Sequence, residues 1–240
     1  MKISVCIPMY NENAVIAKTA KTLSDYMASQ FDEYEILFCD DGSTDGCGDT
    51  VRALNLPCVR VISYGRNRGK GFAVRTAMLE ATGDVRLFTD ADLAYGTDVI
   101  KRIADTFMEN PDASLVIGSR NLSKDGYEGY TLLRRLASRI YIRVLCMAGG
   151  FRLSDSQCGC KAFSGEAAEA IFPRCEVDGF AFDFEAILWA VAEGRKIVEM
   201  PVKVLYHGTS KVRVVRDTFR MLSDLRRMKK RIRRTAKQEK

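Results

Sequence analysis

The sequence predicts an α/β fold built on a mostly parallel sheet with helices on both faces. Three observations lead there. Short apolar runs alternate with longer segments of helical spacing in a β-α-β-α-β-α-β rhythm over the first 93 residues. Each of three runs ends in an acidic or polar loop, where ligands bind in open parallel sheets. At 240 residues, the chain is long enough for one sizeable core.

Residues 3–9, "ISVCIPM", form the first apolar run, closed by Pro8 and the polar "YNEN". From 13 to 29, Val15, Ile16, Ala20, Leu23 and Met27 recur at helical spacing. "EYEILFCDDGSTDG" is a second strand running into a turn rich in Asp, Gly and Ser, where Ser43 or Thr44 can cap the next helix. A helix around "DTVRALNL", a strand "CVRVISY", a loop "GRNRGKG" (65–71) and a helix "FAVRTAMLEAT" follow. The fourth strand, "DVRLFTDADL", ends in Asp90 and Asp92.

Two carboxylates separated by one residue at a strand end point to the same side, about 6–7 Å from each other. Either one alone would read as the cap of the next helix. Together with the acidic loops 8–13 and 40–46, they read as a site for a divalent cation held through oxygen, Mg²⁺ or Mn²⁺, shared with a diphosphate. In "CDDGSTDG", Asp40 or Asp41 can accept hydrogen bonds from a base or ribose, and Tyr10 and Glu12 of "PMYNEN" offer the same. Arg66, Arg68 and Lys70, between glycines, make a cationic cover suited to phosphate.

Charge and composition limit the remaining classes. The net charge of +6 is unevenly spread: residues 213–240 hold 12 Lys/Arg against 3 Asp/Glu, a net of +9, which leaves −3 for residues 1–212. That divides the chain into a domain, 1–212, and a basic amphipathic C-terminal helix, 213–240, whose partner is an anionic surface. Basic runs also bind nucleic acid, but no base-reading motif accompanies this one, so a membrane surface is expected. The opening "MKISVCIPMY" lacks the apolar core of a secretory leader. No run approaches the roughly 18 apolar residues of a membrane span; "GFAFDFEAILWAVAEG" is broken by Asp183 and Glu185. Eight cysteines then fit a reducing compartment, and Cys158 and Cys160, the one close pair, have no second pair to complete a zinc site. The expectation is a peripheral protein on the cytoplasmic face of a membrane. In "LLRRLASRIYIRVLCMA" (132–148), Leu132, Leu133, Leu136, Ile140, Tyr141, Val144 and Leu145 form a stripe beside Arg135, Arg139 and Arg143, the pattern of an interfacial helix or of a core helix with a basic face. Val215, Phe219, Leu222, Leu225, Met228 and Ile232 repeat it in the tail.

"PMYNEN", "DDGSTDG", "NRGKG" and "TDADL", in this order, resemble the nucleotide-binding half of family 2 glycosyltransferases of the GT-A, Rossmann-like fold. "GSRN" (118–121), "LLRRLASR" (132–139), "DSQCGCKAF" (155–163), "GFAFDFEAIL" (179–188), "VEMPVKV" and "GTSKV" (208–212) are similar to the polyprenyl-phosphate group of that family. Within the group, they look most like dolichyl-phosphate β-glucosyltransferases, with dolichyl-phosphate mannosyltransferases near. The resemblance implies an inverting hexosyltransferase that takes glucose from UDP-glucose, or mannose from GDP-mannose, to a polyprenyl phosphate; a glycan acceptor is the alternative. It implies that Pro8, Tyr10, Glu12 and Asp41 hold base and ribose and that Asp90 and Asp92 hold metal and diphosphate. Arg120, Arg134, Ser138 and Lys211 match acceptor-phosphate positions, while Asp155, Gln157, Asp183 and Glu185 lie near the sugar and reaction centre. Ala94 stands where mannosyltransferases can place a third metal ligand, and Tyr95-Gly96 replaces a Thr-Pro-like pair. A phosphate acceptor, with a second pKa of about 6, is already a nucleophilic anion at neutral pH. It needs positioning by arginine rather than a histidine base, and the single histidine, His207, reads as structural or as a weak phosphate contact.

Overall fold

The computed structural model describes residues 1–126, 140, 142–147, 149–205, 225, 227–232 and 234–235. Seven strands form one sheet: β1 (Ile3–Met9), β2 (Tyr34–Asp40), β3 (Val59–Ser63), β4 (Val85–Phe88), β5 (Ala113–Ser119), β6 (Lys161–Ser164) and β7 (Lys196–Pro201), in the spatial order β3-β2-β1-β4-β6-β5-β7. All neighbours are parallel except β6, which runs antiparallel to both β4 and β5. Every residue of β1 is buried. A strand covered on both faces must be apolar throughout, so the run "ISVCIPM" does not alternate.

The helices divide between the two faces. Helices α1 (Asn13–Gln30), α2 (Cys47–Ala53) and α4 (Asp98–Glu109) pack Ile16, Leu23, Met27, Val51, Ile103 and Phe107 against Ile3, Val5 and Ile7 of β1 and Ile36 and Phe38 of β2. On the other face lie α3 (Lys70–Glu80), α5 (Gly165–Ile171) and α6 (Phe182–Ala192), packed against Cys6, Leu37 and Cys39. The expected doubly covered sheet is what forms.

Three details differ from the sequence reading. The fourth strand stops at Phe88, so Asp90 and Asp92 sit in a turn that bends back through Leu93 at φ 49°, not on an extended strand. Lys70 is the first residue of α3 rather than part of a loose cover. Finally, among the described residues, part of each apolar stripe is spent on the protein itself. Leu225, Met228 and Ile232 of the tail are buried in the α3/α6 core cluster, as is Leu145. At about 100° per residue, Leu145 turns inward beside buried Ile142, whereas Ile140 and Val144 stay exposed with Met147. Residues 132–139, Tyr141, Val215, Phe219 and Leu222 lie outside the described residues, as do Arg134, Ser138, His207 and Lys211.

Candidate functional site

β2 and β3 lie on one side of β1 while β4 and the rest lie on the other, so the strand order switches between β1 and β4. A crevice at such a switch point, beyond the carboxyl ends of the strands, is where α/β sheets take ligands. The loops after β1, β2 and β4 all open there.

The first two loops are tied together. Asn11, in the left-handed region at φ 53°, accepts the Thr44 N–H at 2.9 Å and donates its own N–H to Ser43 Oγ at 3.0 Å. Neither Ser43 nor Thr44 caps α2, whose N-cap is Gly46; Asp45 does the work instead, accepting the Cys47 and Asn13 N–H groups at 3.1 and 2.8 Å. The acidic pair of this loop is buried and already bonded. Asp40 accepts the Ser43 N–H at 2.9 Å. Asp41 accepts the Tyr64 hydroxyl at 2.9 Å and the backbone N–H groups of Arg68 and Gly69 at 2.8 Å each. Asp41 therefore shapes the 65–71 loop from inside. Tyr10 is exposed at the crevice rim, and Pro8 is buried in β1.

The opposing wall is anionic. Lys70 Nζ donates to Asp90 Oδ1. Burial works against the Lys70 ammonium, but Asp90, with Asp183 and Asp92 behind it, outweighs that and holds its pKa above the ordinary value. Asp92 accepts the Ala94 N–H at 3.0 Å. Burial, then the charge of Asp90 and more distantly of Glu12, push its carboxyl above the usual range despite Lys70. Thus Asp90, Asp92 and Asp183 act on Lys70, and Asp90 and Glu12 act on Asp92. Among the described residues, no three His, Cys, Asp or Glu side chains form a complete metal cage. The Asp90–Asp92 pair instead fits a hard cation that takes its remaining oxygens from phosphate and water.

The third wall comes from the segment before β6. Asp155, fully buried, receives Arg120 through Nε at 2.7 Å and Nη2 at 3.0 Å, a bidentate pair, and also accepts the Arg120 N–H at 3.1 Å. The residues read from sequence as acceptor contact and reaction-centre carboxylate are thus partners of each other. Gln157 donates its N–H to Asp155 at 3.2 Å, and its buried Nε2 finds no acceptor among the described residues. A Cβ on Gly159 would lie 2.6 Å from Asp90 Oδ2, so a larger residue there would displace the Asp90 carboxylate from its present position. Asp183, at the start of α6, is held by the ammonium of fully buried Lys161 at 2.8 Å. Glu185 turns away from the crevice: one oxygen accepts the Glu176 and Val177 N–H groups at 2.9 and 2.8 Å, and the other receives Arg231.

Sequence reading missed four contributors. Lys161 is a lysine inside the apolar "CGCKAF", and that setting was the available signal for a buried charge pair. Tyr95, noted only as a departure from a family pattern, is buried and accepts the Gly159 N–H at 3.2 Å, which joins the β4 loop to the β6 approach. Glu199 of β7 accepts the Ser154 and Asp155 N–H groups at 2.8 and 3.2 Å. Arg231 lies within a basic run, where nothing in the pattern distinguishes it from its neighbours.

Comparisons with known proteins agree with this architecture. The chain is 30% identical over 243 aligned residues to a dolichyl-phosphate beta-glucosyltransferase of Dictyostelium discoideum, covering 95% of this chain and 73% of that protein. It is 28% identical to a dolichyl-phosphate beta-glucosyltransferase of Saccharomyces cerevisiae, covering 93% and 72% respectively. The fold is shared with glucosyl-3-phosphoglycerate synthase from Mycobacterium tuberculosis, crystallised with Mn²⁺, UDP-glucose and glycerol 3-phosphate. That match has a TM-score of 0.67 at 19% identity, over 93% of this chain and 78% of the other. The profile of glycosyl transferase family 2 matches residues 4–172, and the chain belongs to that family.

Proposed function

We propose that this glycosyltransferase moves glucose from UDP-glucose to a polyprenyl phosphate at a membrane surface, with inversion at the sugar carbon and with Mg²⁺ or Mn²⁺ bound. The observation that carries the reading is the contact of Lys70 with Asp90, with Asp92 and Asp183 close behind, at the switch point of the sheet. An anionic cluster with one lysine suits a dinegative diphosphate only when a divalent cation accompanies it. Asp90 and Asp92 would hold that ion, which when bound neutralises charge on the leaving diphosphate. The names of the two curated relatives support the sugar and the acceptor.

The chain's own residues divide the remaining work. Asp41 and Tyr64 fix the 65–71 loop, so that its backbone and Lys70 border the diphosphate, with Arg68 anchored on Phe72 and Asp178. Tyr10 covers the base, while Pro8, Glu12 and Asp40 complete the nucleoside wall. Gln157 Nε2, a buried donor with no acceptor among the described residues, suits a sugar hydroxyl. Asp155 holds Arg120 in one orientation to receive the acceptor phosphate, together with Arg134, Ser138 and Lys211. A bidentate guanidinium matches such an anion and leaves it nucleophilic, so no proton need be removed. Asp183, fixed by Lys161, faces the sugar.

No helix among the described residues is long and apolar enough to cross a membrane. Exposed Ile140, Val144 and Met147 beside exposed Arg143, together with exposed Arg227, Lys230 and Arg234 on the tail, supply an apolar and cationic contact for a cytoplasmic lipid face.

The test is a transfer assay with Mg²⁺ or Mn²⁺ and a short polyprenyl phosphate, offering labelled UDP-glucose and GDP-mannose in parallel. Label entering the lipid phase from UDP-glucose is the expected result. Label from GDP-mannose alone would overturn the sugar assignment. Slow hydrolysis of a donor without lipid labelling, lost in Asp92→Asn, would overturn the acceptor.

A further inference from the structure

The C-terminal helix is bound to the body by more than its apolar face. Leu225, Met228 and Ile232 are buried against the α3/α6 layer. Between them, Arg231 bridges buried Glu185 and surface-exposed Glu176 and donates to the Arg174 carbonyl oxygen at 3.2 Å. Glu185 is fully buried, and the same carboxylate collects the Glu176 and Val177 N–H groups. Glu185 and Arg231 together therefore fix the start of the 176–179 segment.

That segment carries the contacts of the nucleotide-side loop. The Asp178 carbonyl accepts the Gly71 and Phe72 N–H groups at 2.8 and 3.3 Å, which opens α3. The Asp178 carboxylate pairs with Arg75 at 2.7 Å and with Arg68 at 3.7 Å. The two backbones touch so closely that a Cβ on Gly71 would stand 2.4 Å from the Val177 carbonyl oxygen. Lys70, which opens the same helix, holds Asp90. A chain of hydrogen bonds and ion pairs thus runs from Arg231 through Glu185 and the 176–179 segment to the start of α3.

We infer that Arg231 is a positioning residue: clamped on Glu185 and Glu176, it holds the 176–179 segment against the first turn of α3 and thereby sets Lys70 and the 65–71 loop for the diphosphate. The ligand half of this statement rests on the function proposed above; the mechanical half does not. It makes the C-terminal helix a component of the donor site, with a cationic outer side at Arg227, Lys230 and Arg234 and an inner side that braces the crevice.

The experiment uses the full chain with Arg231→Met and Arg231→Lys, and reads amide hydrogen exchange, UDP binding in Mn²⁺, and the emission of Trp189, the chain's single tryptophan. In Arg231→Met, the Gly71, Phe72 and Val177 amides are expected to exchange about tenfold faster while Val5 and Ile7 of β1 keep their rates, because only the local bracing is lost. UDP affinity should fall about tenfold in Arg231→Met, and Arg231→Lys should recover most of both effects by keeping the charge on Glu185. Unchanged exchange at Gly71 and Phe72 would overturn the inference, and so would an equal rise throughout β1, which would mean general loosening. If Arg231→Met does not fold, as judged from Trp189, Glu185→Gln breaks the same charge link while keeping the acceptor for Glu176 and Val177, and it is read by the same two criteria. A wild-type chain that binds neither UDP nor GDP with Mn²⁺ would sink the proposed function; the exchange result, which involves protein amides alone, would still decide the bracing.

Discussion

In Lys161→Met, the Asp183 carboxylate loses the ammonium that holds it, and the Cys158 carbonyl loses a donor at 2.5 Å. Methionine nearly conserves the volume, so the cost is electrostatic rather than a cavity. Breaking a buried pair by removing one partner costs about 3–5 kcal/mol. The Asp183 side chain keeps 10% of its surface exposed, so water recovers part of that loss and the lower end applies. At about 2–4 °C per kcal/mol for a chain of this size, ~3 kcal/mol lowers Tm by about 6–12 °C. Thermal unfolding followed by far-ultraviolet circular dichroism measures it, in a cycle with Asp183→Asn. The double variant should lose less than the two singles combined, since each single strands a charge and the double strands none. A fall below about 2 °C for Lys161→Met, or additivity within ~0.5 kcal/mol, would refute the pairing as the source of the stability.

Asp92 gives a metal-linked prediction. Because its folded pKa is raised, the stability it contributes is present when it is protonated and lost as pH rises through the raised value, so at neutral pH its charge is a burden on the metal-free chain. Asp92→Asn should therefore raise the metal-free Tm yet abolish transfer, and Mn²⁺ at about 100 times its Kd should raise the wild-type Tm by ~5–10 °C with little effect on Asp92→Asn. Tyr64→Phe removes one of the three donors to Asp41 and should cost about 1 kcal/mol in urea unfolding, with a higher KM for the donor. Gly71→Ala forces a Cβ to 2.6 Å from the Phe182 Cβ as well as against Val177, and should destabilise by about 1–3 kcal/mol while lowering donor affinity in the same assay. Burial raises the Glu35 carboxyl, but hydrogen bonds from Ser4 and Thr82, with the charge of Lys2, outweigh it and leave the pKa below the usual value. Its stabilisation is present above the ordinary carboxylate pKa and fades as pH falls through the lowered one. A pH series of urea melts below neutrality should be flatter for Glu35→Gln than for wild type.

The parts of the fold visible in the sequence are those governed by local patterning. Continuous apolar β1, the Ile16–Ala20–Leu23–Met27 stripe of α1 and the order of the first four strands need only period and turn chemistry. Asp90 and Asp92 stood out for the same reason, since two charges at the end of an apolar run have few structural uses. The geometry assumed for them was not, because a turn through a left-handed Leu93 leaves no trace in an apolar leucine. Pairings across long separations stayed hidden. Nothing near Arg120 signals Asp155, and nothing in "RRMKKRIRR" sets Arg231 apart. The tail's apolar stripe was equally ambiguous: Leu225, Met228 and Ile232 satisfy a bilayer and a protein core alike, and only the position of α6 decides between them.

Because β6 runs against its neighbours, the chain leaves β5 at the crevice edge and re-enters β6 at that same edge. The two ends of the connection from β5 to β6 therefore lie side by side. Its base is closed by Arg120 on Asp155 and by the Asn121 side chain on the Ser154 carbonyl at 2.6 Å. A loop clasped at its neck can change length or content at small entropic cost, since the sheet registers with β4 and β5 begin only after the clasp. On the function proposed above, exchanging the segment between Arg120 and Asp155, with its buried Leu145 kept, is the graft that would test where acceptor choice lies.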